Sequence, residues 1–310
     1  MVRTAMASLC LLGVVGESIT VPCSLVGVSF SPAGLLTPFH LGASARLKEA
    51  GVIRETTSLT GTSGGAIVAA VTALGLAPED SLAACNRIAQ KCRDLGTYRT
   101  LSTSLRTEVD DMVSDDSWRI LNGRAGRTVI GYQQIWPQMK GVFVSRFSSK
   151  EDVCSVIMAS CSIPFYFSGN LASPVRDGLG LDGYFSCPSR FGCPETMASS
   201  LELLVTPFDP AVVLSNFSAS TPTTKKVDII SPKMLPPGKW SLSSAQLVRL
   251  ALAPPVGPGA TAASDAFIRA QYDMLFEAGS DSADAWCRRV PEGASLTNAE
   301  TVVLEARMNK

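Results

Sequence analysis

The feature that most restricts how this chain can fold is a glycine-rich turn between a short strand and an apolar helix. Residues Gly61 to Gly65 read GTSGG, after a strand predicted near residues 58–60 and at the start of a helix predicted over residues 65–76. That helix carries no charged side chain, and a helix that is apolar on every face must be buried. The chain therefore has to turn sharply at the edge of its core, with Ser63 in the turn.

A serine in such a turn is a candidate nucleophile. The pattern G-x-S-x-G between a strand and a helix is typical of a nucleophile elbow, which points to Ser63. The strained backbone of the elbow leaves no room for neighbouring side chains, which accounts for Gly61 and Gly65. The following helix directs free N–H groups at the turn, so Gly64 is a candidate donor to an oxyanion. The alternative is a glycine-rich turn that only caps a core helix.

The position of the one histidine limits how Ser63 can be activated. A serine hydroxyl is a weak nucleophile and needs an adjacent base. Enzymes of the α/β-hydrolase type place a histidine after the serine in the chain, but His40 comes before Ser63 and the chain has no other histidine. That triad is excluded, and His40 is expected in the core or at a helix cap.

With histidine excluded, a carboxylate is the simplest remaining candidate for the base that activates Ser63. Asp177 and Asp182 each precede a glycine in a stretch over residues 171–194 that is rich in glycine and proline and is predicted to be loop. Asp-Gly is a common turn pair, so turn formation alone could account for either. An aspartate can act as a general base if it is partly desolvated and within hydrogen-bonding distance of the serine. The pattern by itself leaves both candidates open.

The alternation of strands and helices predicts an α/β sheet. Strands are predicted over residues 24–30, 58–60, 142–147, 201–206 and 226–230. Helices are predicted over residues 37–51, 65–76, from 78 onward, 149–160 and 262–277. The first of these helices has Thr37 as its predicted N-cap, before Pro38. Residues 99–131 are expected to form a polar surface insertion, and residues 232–259 to be irregular.

The composition narrows the class of protein. With 27 basic and 27 acidic residues in 310, the chain has no net charge, so it lacks the basic surplus of a nucleic-acid binder. Hydrophobic residues make up 46% and charged residues 17%, which is typical of a globular protein and not of a disordered chain. Because the chain lacks the ligand spacing of a metal site, we expect no metal, and we expect no cofactor.

The nine cysteines contain no C-x-x-C pair and are expected to be reduced. Cys85 and Cys92 are seven residues apart, as are Cys154 and Cys161, a spacing of two helical turns that places each pair on one helix face. A disulfide framework is the alternative, but a chain of this length can bury enough core without one.

The chain is expected to form one α/β domain after an N-terminal segment. Residues 1–23 are interpreted as a targeting segment or an irregular start, because the apolar run over 5–16 resembles a signal-peptide core without a clear cleavage site. The run is too short to span a bilayer, and no transmembrane segment is predicted. Residues 24–190 are expected to form the catalytic core and residues 191–310 to complete the domain. The expected location is cytoplasmic, with peripheral contact to a membrane or lipid droplet; a secretory or organelle-targeting N-terminus is left open.

Several segments, in order, resemble the patatin-like phospholipase family, whose members use a Ser–Asp dyad without histidine. The similarity covers roughly residues 26–188 and is greatest to the branch that contains adiponutrin and adipose triglyceride lipase. FSPAGLL at 30–36 and FHLG at 39–42 resemble that branch's oxyanion loop and following helix, and GTSGG its nucleophile elbow. Residues 144–153 and 158–164 resemble the segment before its acid, and Leu181-Asp182-Gly183 resembles its acid motif.

The resemblance implies a fold and a set of site residues. The fold is a three-layer α/β/α patatin-like sandwich around a mostly parallel central sheet. Asp182, and not Asp177, is implied as the acid of a dyad with Ser63, and Gly183 belongs to the acid motif. The implied oxyanion donors are backbone N–H groups, those of Ala33, Gly34, Leu35 and Gly64. Pro32 and Thr37 depart from the family's glycine-rich oxyanion loop, and a proline has no N–H to donate.

The implied function is that of a lipid acyl hydrolase, of the acylglycerol lipase or phospholipase type, with an acyl-enzyme intermediate. One alternative is a catalytically weak lipid-binding protein of the same fold, suggested by Pro32 and Thr37. Another is a transacylase that uses the same dyad and an alcohol in place of water. The predicted partner is a lipid ester; no nucleic acid is expected, and protein partners are undetermined. Because the chain has no net charge, contact with a lipid surface is expected to be hydrophobic.

Overall fold

The computed structural model describes residues 25–198, 200–215, 217, 225–255 and 263–289. The segment 1–23, interpreted above as a targeting or irregular region, lies outside these residues. The strands are β1 (Val26–Phe30), β2 (Ser58–Thr62), β3 (Thr128–Trp136), β4 (Lys140–Val144), β5 (Ser173–Val175), β6 (Gly178–Leu181), β7 (Leu201–Val205) and β8 (Lys226–Ile230). The helices are α1 (Thr37–Glu49), α2 (Gly64–Ala73), α3 (Pro78–Leu95), α4 (Leu101–Met112), α5 (Ser117–Gly123), α6 (Lys150–Ser160), α7 (Pro210–Ser215), α8 (Ser244–Leu252) and α9 (Asp265–Arg289).

All the described strands belong to one sheet, whose centre is parallel. The order is β5-β6-β3-β2-β1-β7-β8, and β4 also pairs with β3. The strands β3, β2, β1, β7 and β8 run parallel, whereas β4, β5 and β6 form an antiparallel part around β3. Every residue of β1 and β2 is buried, as expected for parallel strands that are covered on both faces.

The two faces of β1 and β2 are covered differently. On one face, small and hydroxyl side chains lie under an extended segment over residues 192–197. Ser29 and Thr60 both donate hydrogen bonds to the Pro194 carbonyl oxygen, at 3.0 and 2.9 Å. On the other face, the apolar side chains pack against the helices in the main hydrophobic core. The three-layer sandwich around a mostly parallel sheet is therefore confirmed, with a loop segment covering part of one face.

Helices α1 and α9 pack with their backbones in contact. A Cβ atom added to Gly42 of α1 would lie 1.9 Å from the carbonyl oxygen of Phe276, and one added to Gly279 of α9 would lie 1.9 Å from that of Phe39. The 25-residue α9 begins and ends later than the predicted helix over 262–277, because its whole length packs on α1 and α3. None of the described helices, α9 included, is both long and apolar enough to cross a membrane.

Three stretches predicted to be irregular or peripheral contain regular structure, so these predictions are wrong. Residues 99–131 hold α4, α5 and the start of β3, a strand inside the sheet. Residues 171–194 hold β5 and β6, and residues 232–259 hold α8, whose N-terminus is a capping box. The strands β5 and β6 are short, and local propensity does not favour them. Long-range pairing with β3 stabilises β6, and β5 in turn pairs with β6. The polar helices bury only one face each.

The histidine and the cysteines lie where the sequence predicts. His40 is fully buried in α1, with Nε2 3.5 Å from the Ser31 hydroxyl oxygen. Burial lowers the pKa of His40 to about 3, against the opposing effect of a backbone hydrogen bond to Val205. Cys10 and Cys23 lie outside the described residues, and the seven cysteines within them are all free thiols.

Because the backbones of α1 and α9 touch at their glycines, we expect a Gly42→Ala or Gly279→Ala change to lower the free energy of unfolding by roughly 2 kcal/mol or more. The added methyl group forces the helices apart, and this outweighs the gain in helix propensity of about 1 kcal/mol. The control is Gly123→Ala in α5, where a new Cβ would meet nothing within 4 Å. Urea denaturation of all three variants tests the prediction; equal stabilities would contradict it.

Candidate active site

The strands β2 and β6 both pair with the same side of β3, and their C-terminal ends face each other. Gly131 of β3 pairs with the last residue of β2 and, on its other side, with β4. Gln133 pairs with β4 and, on its other side, with the last residue of β6. Therefore β2 and β6 share one side of β3, run in opposite directions and end two residues apart along it. The residues that follow these strands, Ser63 and Asp182, are brought together at this point.

Ser63 lies in a strained turn between β2 and α2. Its backbone dihedrals are φ 52° and ψ −130°, a conformation that residues other than glycine rarely adopt. The neighbouring glycines leave the turn its space. A Cβ on Gly61 would lie 2.2 Å from the Gly65 carbonyl oxygen, and one on Gly65 would lie 2.3 Å from the Phe30 carbonyl oxygen. This geometry is that of a nucleophile elbow, with the side chain of Ser63 held at the N-terminus of α2.

Ser160, at the end of α6, ties the elbow to β3. The Ser63 N–H donates to Ser160 Oγ at 2.8 Å, and the Ser160 hydroxyl donates to the Gly131 carbonyl oxygen at 2.6 Å. Both bonds are buried. Sequence reasoning assigned no role to Ser160, because a serine 97 residues from the elbow carries no local signal. Its only clue was its place in the segment 158–164 that resembles the family's segment before the acid.

Asp182 is buried beside Ser63. Its side chain is only 3% exposed, and Oδ1 accepts a hydrogen bond from the Tyr184 N–H at 2.9 Å. Its own N–H donates to the Ser162 carbonyl oxygen at 2.8 Å, which fixes the start of the turn. Oδ2 is buried and makes no hydrogen bond of ordinary geometry within the described structure. This second oxygen is therefore the one available to a reacting group.

Burial sets the protonation of Asp182. Desolvation raises the pKa of this carboxyl to about 6, although the hydrogen bonds from the Tyr184 N–H and the Ser63 side chain lower it. A carboxylate with a pKa close to neutral is well matched to general-base catalysis. Asp177, the other candidate, is exposed in the turn between β5 and β6. Of the two aspartates that the sequence left open, only Asp182 lies at Ser63.

The loop before α1 supplies N–H groups beside the serine. Gly34 has φ 52°, and a Cβ on Gly64 would lie 3.2 Å from the Gly34 nitrogen. Within the described ranges, no protein acceptor is found for four backbone N–H groups, those of Ala33, Gly34, Leu35 and Gly64. These are the groups predicted as oxyanion donors, and the structure brings Gly34 and Gly64 into contact. Such free N–H groups beside a nucleophile can stabilise a developing negative charge.

Thr37 and Pro32, which depart from the family's glycine pattern, occupy different positions at the site. Thr37 is the first residue of α1, and Leu36 is the N-cap, so the predicted capping role of Thr37 is wrong. Instead, the Thr37 hydroxyl donates to the Gly34 carbonyl oxygen at 2.7 Å, which fixes the peptide that carries the Leu35 N–H, one of the candidate donors. Pro32 lies at the mouth of the site, and a Cβ on Gly192 would lie 2.7 Å from its ring.

Two hollows meet at Ser63. The first, which we call the inner cavity, runs between the helices. It is lined by Gly34, Leu35, Thr37, Leu41, Ser63, Gly64, Ile67, Ser81, Ala84, Cys85, Ile88, Leu101, Leu105, Met112, Cys161, Ile163, Tyr166, Phe167, Ala251 and Tyr272. The second, the outer cleft, opens to solvent and is lined by Pro32, Ala33, Gly34, Ser63, Ile163, Asp182, Tyr184, Phe185, Phe191, Phe208, Ala251 and Leu252.

The lining of both hollows is almost free of charge. Among the described residues that line the outer cleft, Asp182 is the only ionisable acid or base apart from a tyrosine, and none of the described residues that line either hollow is Lys, Arg or His. In the part of the chain that the structure describes, no group of three or more His, Cys, Asp or Glu side chains could hold a metal ion. A narrow apolar cavity and a more open cleft that meet at one hydroxyl suit an apolar chain joined to a second group through a reactive bond.

Comparison with known proteins identifies the family. The sequence profile described as patatin-like phospholipase matches residues 28–189, more than half of the chain. The human protein 1-acylglycerol-3-phosphate O-acyltransferase PNPLA3 is 28% identical over 163 residues, which cover 50% of this chain and 33% of that protein. The crystal structure of VipD from Legionella pneumophila has a TM-score of 0.40 and 11% identity, covering 85% of this chain and 67% of that one.

The matched region contains Ser63, Asp182 and the candidate oxyanion groups. It begins in β1 and extends past Asp182, so it includes the elbow, the loop before α1 and the end of β6. The alignment with the human protein spans about a third of that protein's length. The similarity to the adiponutrin branch predicted from the sequence is confirmed, and the chain belongs to the patatin-like phospholipase family.

Proposed function

We propose that this protein is a lipid acyl hydrolase in which Ser63 is the nucleophile and Asp182 the general base. The observation that carries the proposal is the end-to-end meeting of β2 and β6, which brings the two side chains together where the inner cavity joins the outer cleft. Membership of the patatin-like phospholipase family supports an activity on lipid acyl groups.

The first half of the reaction forms an acyl-enzyme. Asp182 takes the proton of the Ser63 hydroxyl as the oxygen attacks the ester carbonyl carbon. The carbonyl oxygen becomes negative and is held by the N–H groups of Gly34 and Gly64. As the intermediate collapses, the bond to the leaving alcohol breaks, and Asp182 returns the proton to that oxygen. The acyl group is left as an ester of Ser63.

The second half releases the acid. A water molecule from the outer cleft gives a proton to Asp182 and attacks the same carbonyl carbon. The oxyanion forms again at the same N–H groups, the bond to Ser63 breaks, and the serine oxygen recovers its proton from Asp182. The inner cavity would hold the acyl chain, because its walls are apolar, and the outer cleft would hold the leaving group.

Acyl transfer is the second candidate function. The name of the human relative describes an O-acyltransferase, and the same acyl-enzyme would pass its acyl group to an alcohol in the outer cleft. Analysis of products with added monoacylglycerol or lysophospholipid separates the two. The weakly active lipid-binding protein suggested by Pro32 is the other alternative, and a hydrolytically active wild-type protein would eliminate it.

We also propose that the protein contacts a lipid surface through the β3–β4 hairpin. The strand β3 continues for five residues past Gly131, which is level with the end of β2, a length of about 16 Å. The tip of this hairpin therefore projects on the same side of the sheet as Ser63. Trp136 is 58% exposed and Met139 is 81% exposed, and Leu179, the register partner of Trp136, is also exposed. An exposed apolar projection beside an apolar site suits insertion into a lipid interface.

The dyad is tested by substitution. We expect Ser63→Ala and Asp182→Asn to lower kcat/KM for a lipid ester by about a thousandfold or more, because each removes a group that acts in every step. Asp177→Asn is the matched control, since Asp177 is exposed and lines neither hollow, and it should retain wild-type activity. Labelling of Ser63→Ala by a fluorophosphonate to the wild-type extent would show that another residue is the nucleophile.

The raised pKa of Asp182 predicts two pH effects. The rate of hydrolysis should rise with pH through an apparent pKa of about 6, because only the ionised carboxyl is a base. The neutral carboxyl is favoured in the folded state, so its stabilising contribution is present below about pH 4 and is lost as the pH rises through 6. Asp182→Asn avoids this loss. Its free energy of unfolding relative to wild type should therefore increase by about 2.5 kcal/mol between pH 4 and pH 8.

Urea denaturation at both pH values measures this difference, and the titration of His40 cancels because both proteins contain it. A difference in stability that does not change with pH would contradict the assignment of a raised pKa to Asp182.

The lipid contact is tested by vesicle binding. Replacing both Trp136 and Met139 by serine should lower the partition coefficient to neutral phosphatidylcholine vesicles by about tenfold or more, through loss of apolar contact. Ile120→Ser is the control: Ile120 is 47% exposed and lies in α5, next to the start of β3 at the opposite edge of the sheet. Hydrolysis of a short-chain soluble ester should be unchanged. Binding of the wild type that modest salt abolishes would point to electrostatic docking instead.

A further inference from the structure

Two hydroxyl groups in the inner cavity have no hydrogen-bond partner. Tyr272 of α9 and Ser81 of α3 both line this cavity and are only 2% and 4% exposed. Within the described part of the chain, neither the Tyr272 hydroxyl nor the Ser81 hydroxyl has a partner. Buried hydroxyl groups are nearly always paired, because an unpaired one has lost its hydrogen bonds with water and gained none. The fold itself therefore gives these two hydroxyl groups no structural role.

Both hydroxyl groups belong to helix walls away from the elbow. Ser81, Ala84, Cys85 and Ile88 follow the spacing of one helix face, and this face of α3 lines the cavity. Tyr272 lines the cavity from α9. Ser63 and the candidate oxyanion groups belong instead to the elbow and the loop before α1. An acyl chain attached to Ser63 would have to pass between these walls to fill the cavity.

The residues that line the inner cavity restrict which functional groups an acyl chain bound there can carry. An unsubstituted alkyl chain would leave both hydroxyl groups unpaired in an apolar surrounding. A distal carboxylate or other charge would be buried without a partner, because none of the described residues that line the cavity is Lys, Arg or His. A neutral oxygen function on the acyl chain avoids both problems, because it brings no charge into the cavity and can pair with the wall hydroxyl groups. A hydroxyl group, for example, can accept a hydrogen bond from one wall and donate one to the other.

We propose that the inner cavity selects acyl chains that carry a hydroxyl or a similar neutral oxygen function along their length, and that Tyr272 and Ser81 bind that oxygen. This inference rests on the proposed function in one respect, that the ester end of the chain lies at Ser63. Tyr272 and Ser81 are then determinants of acyl specificity and take no part in the bond-breaking steps.

Direct binding to the Ser63→Ala protein tests the proposal without turnover. The ligands are methyl stearate and a panel of methyl hydroxystearates with the hydroxyl group at different carbons, measured by displacement of a fluorescent fatty-acid ester. We expect at least one isomer to bind about three- to tenfold more tightly than methyl stearate, the gain of one ordinary hydrogen bond. The gain should disappear when Tyr272→Phe is added, and Ser81→Ala should reduce it.

Tyr166→Phe is the matched control. Tyr166 lines the same cavity, but its hydroxyl already donates to the Leu252 carbonyl oxygen, so its removal should leave the preference for the hydroxylated isomer unchanged. Tyr272→Phe should unfold at the same temperature as the wild type or higher, because the hydroxyl it removes has no partner. Loss of the preference in a protein of unchanged Tm therefore reports ligand contact and not misfolding.

Two results would overturn the proposal: no isomer binds more tightly than methyl stearate, or the gain survives both Tyr272→Phe and Ser81→Ala. In either case the hydroxyl groups of Tyr272 and Ser81 form their hydrogen bonds with water and not with an acyl chain. A failure of the wild type to hydrolyse any ester would instead overturn the proposed function, and it would leave the binding comparison intact. The two failures are thus distinguishable.

Discussion

The site depends on one constraint in the sheet: β2 and β6 occupy the same side of β3 and end against each other. Neither strand could place its terminal residue there alone. The strand β2 is held by its parallel pairing with β1 and β3, and β6 is held by antiparallel pairing with the part of β3 that extends past β2. The turns that follow must then converge, which brings Ser63 and Asp182 together although 119 positions separate them in the chain. The hydrogen bonds through Ser160 secure the same junction.

The chemistry at this junction follows from burial. Desolvation holds the pKa of Asp182 near neutral, and the hydrogen bonds to its carboxylate limit the rise. The carboxyl lies in the outer cleft, which meets the apolar inner cavity at Ser63. The strained backbone of Ser63 persists because glycines remove the clashes around it and because α2 and β3 hold both ends of the turn. The packing that holds the strained turn and the burial that raises the pKa of Asp182 therefore both come from the folded core around the site.

Local sequence patterns were informative where all the residues that form a feature lie close together in the chain. The glycines around Ser63, the apolar helix after it and the position of His40 all concern residues close in sequence, and their interpretation required no tertiary information. The predictions failed where pairing partners are distant. Residues 171–194 were predicted as loop because the stretch is rich in glycine and proline, yet it contains two strands, because β6 pairs with β3 and β5 pairs with β6. Ser160 was overlooked for the same reason, since its hydrogen bonds reach residues far away in the chain.

The sequence by itself determined that the chain is a globular α/β protein, that it contains a G-x-S-x-G turn between a strand and a helix, and that no histidine follows Ser63. These conclusions depend on residue types, their spacing and their order. Only the tertiary structure decided which aspartate lies at Ser63, how the loop before α1 meets Gly64, and which hydroxyl groups are buried without partners. Those facts depend on strand register and on helix packing, which join segments that no local pattern relates. Burial, which sets the pKa of Asp182, is likewise a property of the assembled fold.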